Sequence, residues 1–214
     1  RCRVLTCTPS VKTRCSQPVG IKVGILALQG NVSEHVQAFR SACALEGEQN
    51  EDVEVVLIRH AGDIAGCDGI VIPGGESTTL SHLIDKNDMR EVLSSFEGGF
   101  FGTCAGMVLL SSAVDDVRVT PLSVLDISVD RNAFGRQRES FETELTISGM
   151  DSPFHAIFIR APVVESAGPE VEILCTIDEG IVAVRQGRHM ALSFHPELGS
   201  DMRLHTRFIE HLKD

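Results

Sequence analysis

The 214-residue chain contains no tryptophan and no tyrosine, so any platform for stacking sugars or nucleobases would have to be built from its ten phenylalanines. No apolar run approaches the ~18–20 residues of a membrane-spanning helix, which excludes an integral helical membrane protein. Basic residues are scarce. The 19 Lys and Arg stand against 30 Asp and Glu, a net charge of −11 at pH 7, the reverse of the surplus with which nucleic-acid binders neutralise phosphates. The seven cysteines are odd in number and form no CxxC pair, which argues against a disulfide framework and against a structural zinc site. Four of them, Cys43, Cys67, Cys104 and Cys175, lie in the body of the chain and suit a reducing, cytoplasmic compartment. There is no P-loop, HExxH or GxGxxG sequence. No phosphate, metal or pyridine site is therefore expected, and no cofactor.

What is present is the composition of a globular domain: 43% hydrophobic and 23% charged residues, which excludes disordered, collagenous and coiled-coil chains. The length fits one domain. Residues 1–20 differ from the rest, with Arg1, Arg3, Lys12 and Arg14, three cysteines and no acid. That composition fits an organelle (plastid-type) targeting remnant, and equally a disordered extension or an untrimmed precursor segment. The expected boundaries are an extension over 1–20 and a single catalytic domain over 21–214.

From Ile21 the pattern changes. IKVGILAL, VEVVLI (53–58) and GIVI (69–72) are near-continuous apolar runs, the mark of strands buried on both faces of a parallel sheet. Helical patterns follow over the thirties and forties, 78–85 and 88–96, and a short strand at Phe100-Phe101 enters Gly102. Strands alternating with helices predict a three-layer α/β fold with a mostly parallel central sheet. The second half reads as short strands with little helix: 122–130, 141–147, 154–159, 171–176, 181–186 and 189–194. QGRH (186–189) has hairpin character, and a closing helix spans 202–212. Antiparallel additions to the sheet are expected there.

Gly102-Thr103-Cys104-Ala105-Gly106 lies between an apolar strand and the apolar stretch MVLLS. It has the form of a nucleophile elbow with Cys in the place of Ser. Flanking glycines let the turn pass close to neighbouring backbone, and the N-terminus of the following helix favours thiolate over thiol. A buried structural cysteine in a Gly-rich turn is the alternative. A thiolate needs a proton shuttle, most often a His oriented by a carboxylate. Of eight histidines, His195 stands out because it ends the strand MALSF and opens His195-Pro196-Glu197; the other seven, His35 among them, have unremarkable surroundings. Pro73-Gly74-Gly75 after the strand at 69–72 leaves backbone N–H groups at the carboxyl edge of the sheet. With the N–H of Ala105 they could form an oxyanion hole.

These three motifs together resemble the class I (triad) glutamine amidotransferases. VGILALQGNVSEH, PGGESTTL, GTCAGMVLL, RNAFGRQRESFE, FIRAP and SFHPEL narrow the resemblance to the glutaminase subunit family of pyridoxal 5′-phosphate synthase, in order from Ile21 to Leu212. The resemblance implies a flavodoxin-like amidotransferase fold. It implies Cys104 as nucleophile, His195 as general acid/base and Glu197 as its orienting carboxylate. Gly75, Glu76 and Ser77 would hold L-glutamine, with Gly75 and Ala105 supplying oxyanion N–H groups. Arg131, Ile159 and Arg160 correspond to the other glutamine-contacting positions, and Arg suits a carboxylate because its fork bonds bidentately; an internal ion pair is the alternative for either arginine. The implied partner is a (β/α)-barrel synthase subunit in a hetero-oligomer that uses the ammonia, with no nucleic acid or membrane involved. Asp130 departs from the family, where relatives commonly carry a basic residue, and the stretches 111–123 and 176–181 look like trimmed surface loops. Rival readings are an amidotransferase serving another synthase, a cysteine peptidase on the same fold, and a non-catalytic regulatory subunit.

Overall fold

The computed structural model describes residues 20–45, 53–131, 133–134 and 140–213. The expected N-terminal extension, except Gly20, and most of RNAFGRQ after Arg131 lie outside the described residues. The first half runs β1 (Ile21–Leu26), α1 (Val32–Leu45), β2 (Val53–Ile58), β3 (Gly69–Ile72), α2 (Ser77–Lys86), α3 (Arg90–Ser94), β4 (Gly99–Thr103) and α4 (Ala105–Leu110). The second half runs β5 (Ala113–Val114), β6 (Ile127–Asp130), β7 (Ser140–Leu145), β8 (Phe154–Ile159), β9 (Val163–Ala167), β10 (Glu172–Ile177), β11 (Gly180–Gln186), β12 (His189–Leu192) and α5 (Arg203–Lys213).

Strands β2-β1-β3-β4-β12 are adjacent and mutually parallel. This is the flavodoxin-like order of a doubly wound sheet, in which ligands bind beyond the carboxyl ends of the strands. The sheet continues from β12 through antiparallel β11, β9 and β6 to β5, with β10 also paired to β11. A separate antiparallel ribbon is made by β7 and β8. The fold is thus a three-layer α/β structure, mostly parallel, with antiparallel additions.

Successive residues of a strand face opposite sides of the sheet, and β4 shows what this does to the core. Phe101 joins one apolar cluster with Phe39 of α1 and Phe208 of α5, while Phe100 joins the other with Leu80 and Ile84 of α2 and Leu93 of α3. The burial of both rings fixes β4 as a central strand and sets the direction in which it delivers Cys104.

Four details differ from the sequence reading. β2 is an edge strand whose Glu54 and Leu57 are exposed, because among the described residues it pairs only with β1. The strand expected over 122–130 is confined to β6, since Leu122 and Leu125 pack in the core cluster under α2 and α4. β9 was not anticipated: five residues with Glu165 exposed give too little alternation to stand out beside the longer runs. The segment 111–123 is also more than a trimmed loop, as it carries β5 and the buried Val119 and Leu122.

Candidate active site

The ends of β1, β3, β4 and β12 converge at one edge of the sheet. The connection from β4 to α4 is the expected sharp turn. Cys104 occupies it at φ 49°, ψ −105°, a backbone conformation that a side chain adopts only where its surroundings impose it. The flanking glycines are required by close approach. A Cβ on Gly106 would overlap the carbonyl oxygen of Ile72 in β3, and one on Gly102 would lie 2.8 Å from the Gly106 carbonyl carbon. The Cys104 N–H donates to Leu192 O at 2.8 Å, tying the elbow's backbone to β12. The N–H of His195, just beyond β12, donates to Ile157 O of β8 at 2.8 Å.

His195 and Glu197 are both buried, 4% and 6% exposed. The His195 Nδ1–H donates to Glu197 Oε1 at 2.8 Å, which leaves Nε2 for Cys104. Asn31 Nδ2 donates to the same Oε1 at 3.0 Å and lies 3.3 Å from Nδ1. Since Nδ1 carries the proton given to Glu197, that second contact is proximity and not a bond. Burial alone would lower the His195 pKa, but hydrogen bonding and charge from Cys104 and Glu197 overcome it and push the imidazole up to about 10. Burial alone would raise Glu197. The facing His35 and His195 and the hydrogen bonds from His195 and Asn31 instead hold it at about 2. The arrangement is that of a cysteine and an imidazolium backed by a carboxylate. Gly74 is pressed beneath it, where a Cβ would sit 2.9 Å from His195 Nδ1 and 3.4 Å from Cys104 Cβ.

A cavity of about 400 Å³ opens in front of Cys104, lined among others by Gly75, Glu76, Ser77, Ala105, Arg131, Ile159, Arg160 and His195. That is within the size range of small-molecule sites. Every residue expected at the site therefore lines this space, except Glu197, which lies behind His195. The Cys104 Sγ is 3.7 Å from the carbonyl oxygen of Ile159, the last residue of β8. Arg160 follows it at φ 42° and is exposed.

The two arginines differ in a way the sequence did not reveal. Arg131 bonds Asp116 and, at 3.2 Å, Glu76 Oε1, so its charge is already matched by carboxylates. Arg160 has no carboxylate partner among the described residues. Glu76 also caps α2, accepting from the Thr79 N–H at 2.6 Å, the Thr78 N–H at 3.3 Å and both threonine hydroxyls. Burial would raise its pKa, but these bonds hold it at about 2.

Sequence reading missed Asn31, Gln29, His35, Thr103 and Asp116. Gln29 Oε1 accepts the Glu76 N–H at 3.1 Å, bridging the ends of β1 and β3. Asn31 and His35 are four residues apart at the start of α1, a spacing that places both on one helix face. That was the signal available.

A doubly wound α/β sheet with a cysteine elbow and a His-x-Glu segment at the carboxyl ends of adjacent strands defines the class I glutamine amidotransferase fold. The comparisons carry this from the class to the family. The SNO glutamine amidotransferase family matches residues 25–214, and the chain belongs to that family. The pyridoxal 5′-phosphate synthase subunit PdxT of Methanosphaerula palustris is 58% identical over 189 residues, covering 88% of this chain and 96% of the relative. The subunit of the same name from Parafrankia sp. is 51% identical over 195 residues, covering 88% and 92%. Among solved structures, a glutamine amidotransferase superposes with a TM-score of 0.79 at 38% identity, covering 90% of this chain and 99% of that one. The acivicin-bound glutaminase domain of Trypanosoma brucei CTPS shares the fold, with a TM-score of 0.54 at 14% identity over 90% and 94% of the two chains.

Proposed function

We propose that this chain is the glutaminase subunit of a pyridoxal 5′-phosphate synthase, hydrolysing L-glutamine to glutamate and ammonia with Cys104, His195 and Glu197. The observation that carries the reading is the 2.8 Å bond from His195 Nδ1 to Glu197, which leaves Nε2 facing a cysteine held in a strained elbow. The Cys104 thiolate attacks the side-chain amide carbon of glutamine. Its electrons move onto the carbonyl oxygen, which the N–H groups of Gly75 and Ala105 receive; removing one such donor typically costs ~10²–10³ in rate. His195 passes its proton from Nε2 to the departing nitrogen, the C–N bond breaks, and a γ-glutamyl thioester remains. Water then gives a proton to the neutral imidazole as it attacks the thioester, and the thiolate leaves with glutamate. Glu197 keeps the Nδ1–H tautomer and stabilises the imidazolium at each turn of the cycle.

Glutamine sits in the cavity with its amide toward Cys104 and its α-amino acid end toward Glu76, Ser77, Arg131, Ile159 and Arg160. Arg160 is the better receptor for the α-carboxylate, because Arg131 is already bonded to Asp116 and Glu76. The ammonia passes to a (β/α)-barrel synthase subunit docked in a hetero-oligomer, and docking completes the oxyanion site. The test is ammonia release from L-glutamine with and without a purified pyridoxal phosphate synthase subunit. Strong stimulation that is absent in Cys104→Ala supports the reading. Turnover at the parent rate in Cys104→Ala would end the catalytic assignment, and activity indifferent to the synthase subunit would end the partner assignment.

A further inference from the structure

His35 is fully buried on α1, at the back of the triad. Its Nε2 lies 3.0 Å from Thr103 Oγ1 and 3.5 Å from Glu197 Oε2. Thr103 immediately precedes Cys104, and its Oγ1 accepts the Gly74 N–H at 3.0 Å. The Gly74 carbonyl accepts the Asn31 N–H at 3.3 Å. One ring nitrogen therefore touches both the carboxylate behind His195 and the hydroxyl that pins the loop after β3.

The position of the proton follows from these neighbours. A lone pair on Nε2 aimed at a carboxylate oxygen would be repelled, so Nε2 carries the hydrogen, bonded to Thr103 Oγ1 and facing the Glu197 oxygen. Nδ1 has no partner among the described residues, and a bare lone pair is tolerated there better than an orphaned N–H. Burial lowers the His35 pKa despite the attraction of Glu197. The neighbouring ring of His205 on α5, 6.2 Å away between centroids, is held at about 3, also by burial. Glu197 Oε2 has no hydrogen-bond partner among the described residues, and the Nε2 of His35 faces it at ion-pair distance, 3.5 Å.

We propose that His35 is a positioning residue of this site: it fixes the rotation of the Glu197 carboxylate and, through Thr103, the Gly74-Gly75 loop, so that one side chain sets both the triad and the oxyanion loop. The inference rests on the glutaminase reading above. It is tested in the full chain, assayed for ammonia release with the synthase subunit present. His35→Leu fills the space without a donor, and His35→Gln returns an N–H near the position of Nε2. His35→Leu is expected to lower kcat roughly 10–100-fold, the scale of an ångström-level misplacement, with KM within about twofold and His35→Gln recovering most of the loss. Losses that are equal in both variants and track Tm would overturn the proposal as mere packing, and so would a His35→Leu variant with parental kcat.

If His35→Leu fails to fold, Thr103→Val and His35→Gln carry the test. Thr103→Val is expected to lower kcat, and its loss should combine non-additively with that of His35→Gln, as coupled neighbours do. Fully multiplicative losses would overturn the link. Alkylation of Cys104 by iodoacetamide, followed by mass spectrometry of its peptide, reads the same site without turnover. Slower alkylation in His35→Leu that is restored in His35→Gln supports the proposal, and equal rates overturn it. Should the unaltered chain release no ammonia in either condition, the glutaminase reading falls, while these alkylation rates still decide on His35.

Discussion

Gly106→Ala sets two physical effects against each other at the nucleophile elbow. Alanine is a better helix former than glycine by about 1 kcal/mol, and Gly106 lies in the first turn of α4, so propensity alone predicts a more stable protein. The structure predicts the opposite. The new methyl would overlap the Ile72 carbonyl oxygen and stand 3.0 Å from its carbon and 3.3 Å from its Cβ. These are backbone and near-backbone atoms of a central strand and cannot swing aside. Relief requires α4 to retreat from β3 by on the order of 1 Å, at the 1–3 kcal/mol typical of overpacking. Net of the propensity gain, the protein should lose up to about 2 kcal/mol, or up to roughly 8 °C in Tm for a domain of this size. The same retreat moves the N-terminus of α4, and with it Cys104 and the Ala105 N–H. Turnover should therefore fall roughly 10²-fold, far beyond the stability effect. Thermal melts and ammonia release on one preparation measure both. A variant that melts at or above the parent temperature with turnover within twofold would refute the close-approach argument.

Glu197→Gln should cost stability in a pH-dependent way. A buried carboxyl held at about 2 instead of 4.5 contributes about 3 kcal/mol, present in full above pH 4.5 and lost as pH falls toward 2. Urea unfolding at pH 6 and pH 3 should show the gap between parent and variant closing, and a constant gap would contradict the assignment. His195, pushed from 6.5 up to about 10, contributes with the opposite sign: in full below pH 6.5, and lost as pH rises through 10. Arg160→Gln should raise KM for glutamine by roughly 10–100-fold, the loss of a charge-assisted bond, and by more than Arg131→Gln does; steady-state kinetics showing the reverse order would make Arg131 the carboxylate receptor. Phe101→Ala should cost about 3–5 kcal/mol, because the ring is fully buried against Phe39 and Phe208, and denaturant unfolding reads this directly.

The elbow and the His-Pro-Glu segment were legible because the chemistry is compressed into a few consecutive residues. Glycines that relieve a close approach, a cysteine between them, and a histidine at the end of an apolar run all announce themselves locally. The central strands were legible for a similar reason, since burial on both faces leaves a near-continuous apolar run in β1, β3 and β4. β9 was not, because a short strand with a solvent-facing acid looks like the loops around it. His35 was passed over because its helix reads as an ordinary amphipathic one, and its partners stand 68 and 162 positions further along the chain.

The sequence by itself therefore determined the layer architecture, the cysteine elbow, the His-Pro-Glu segment and most of the residues that line the cavity in front of Cys104, since each is written in hydrophobic period or in a contiguous motif. Tertiary structure alone decided which groups neutralise one another. It bound Arg131 to Asp116 and Glu76 and left Arg160 without a carboxylate among the described residues, and it placed His35 between Glu197 and Thr103. Electrostatic and hydrogen-bond pairing acts over about 3 Å in space regardless of separation along the chain, so those assignments exist only once β1, β3, β4 and β12 have brought their ends together.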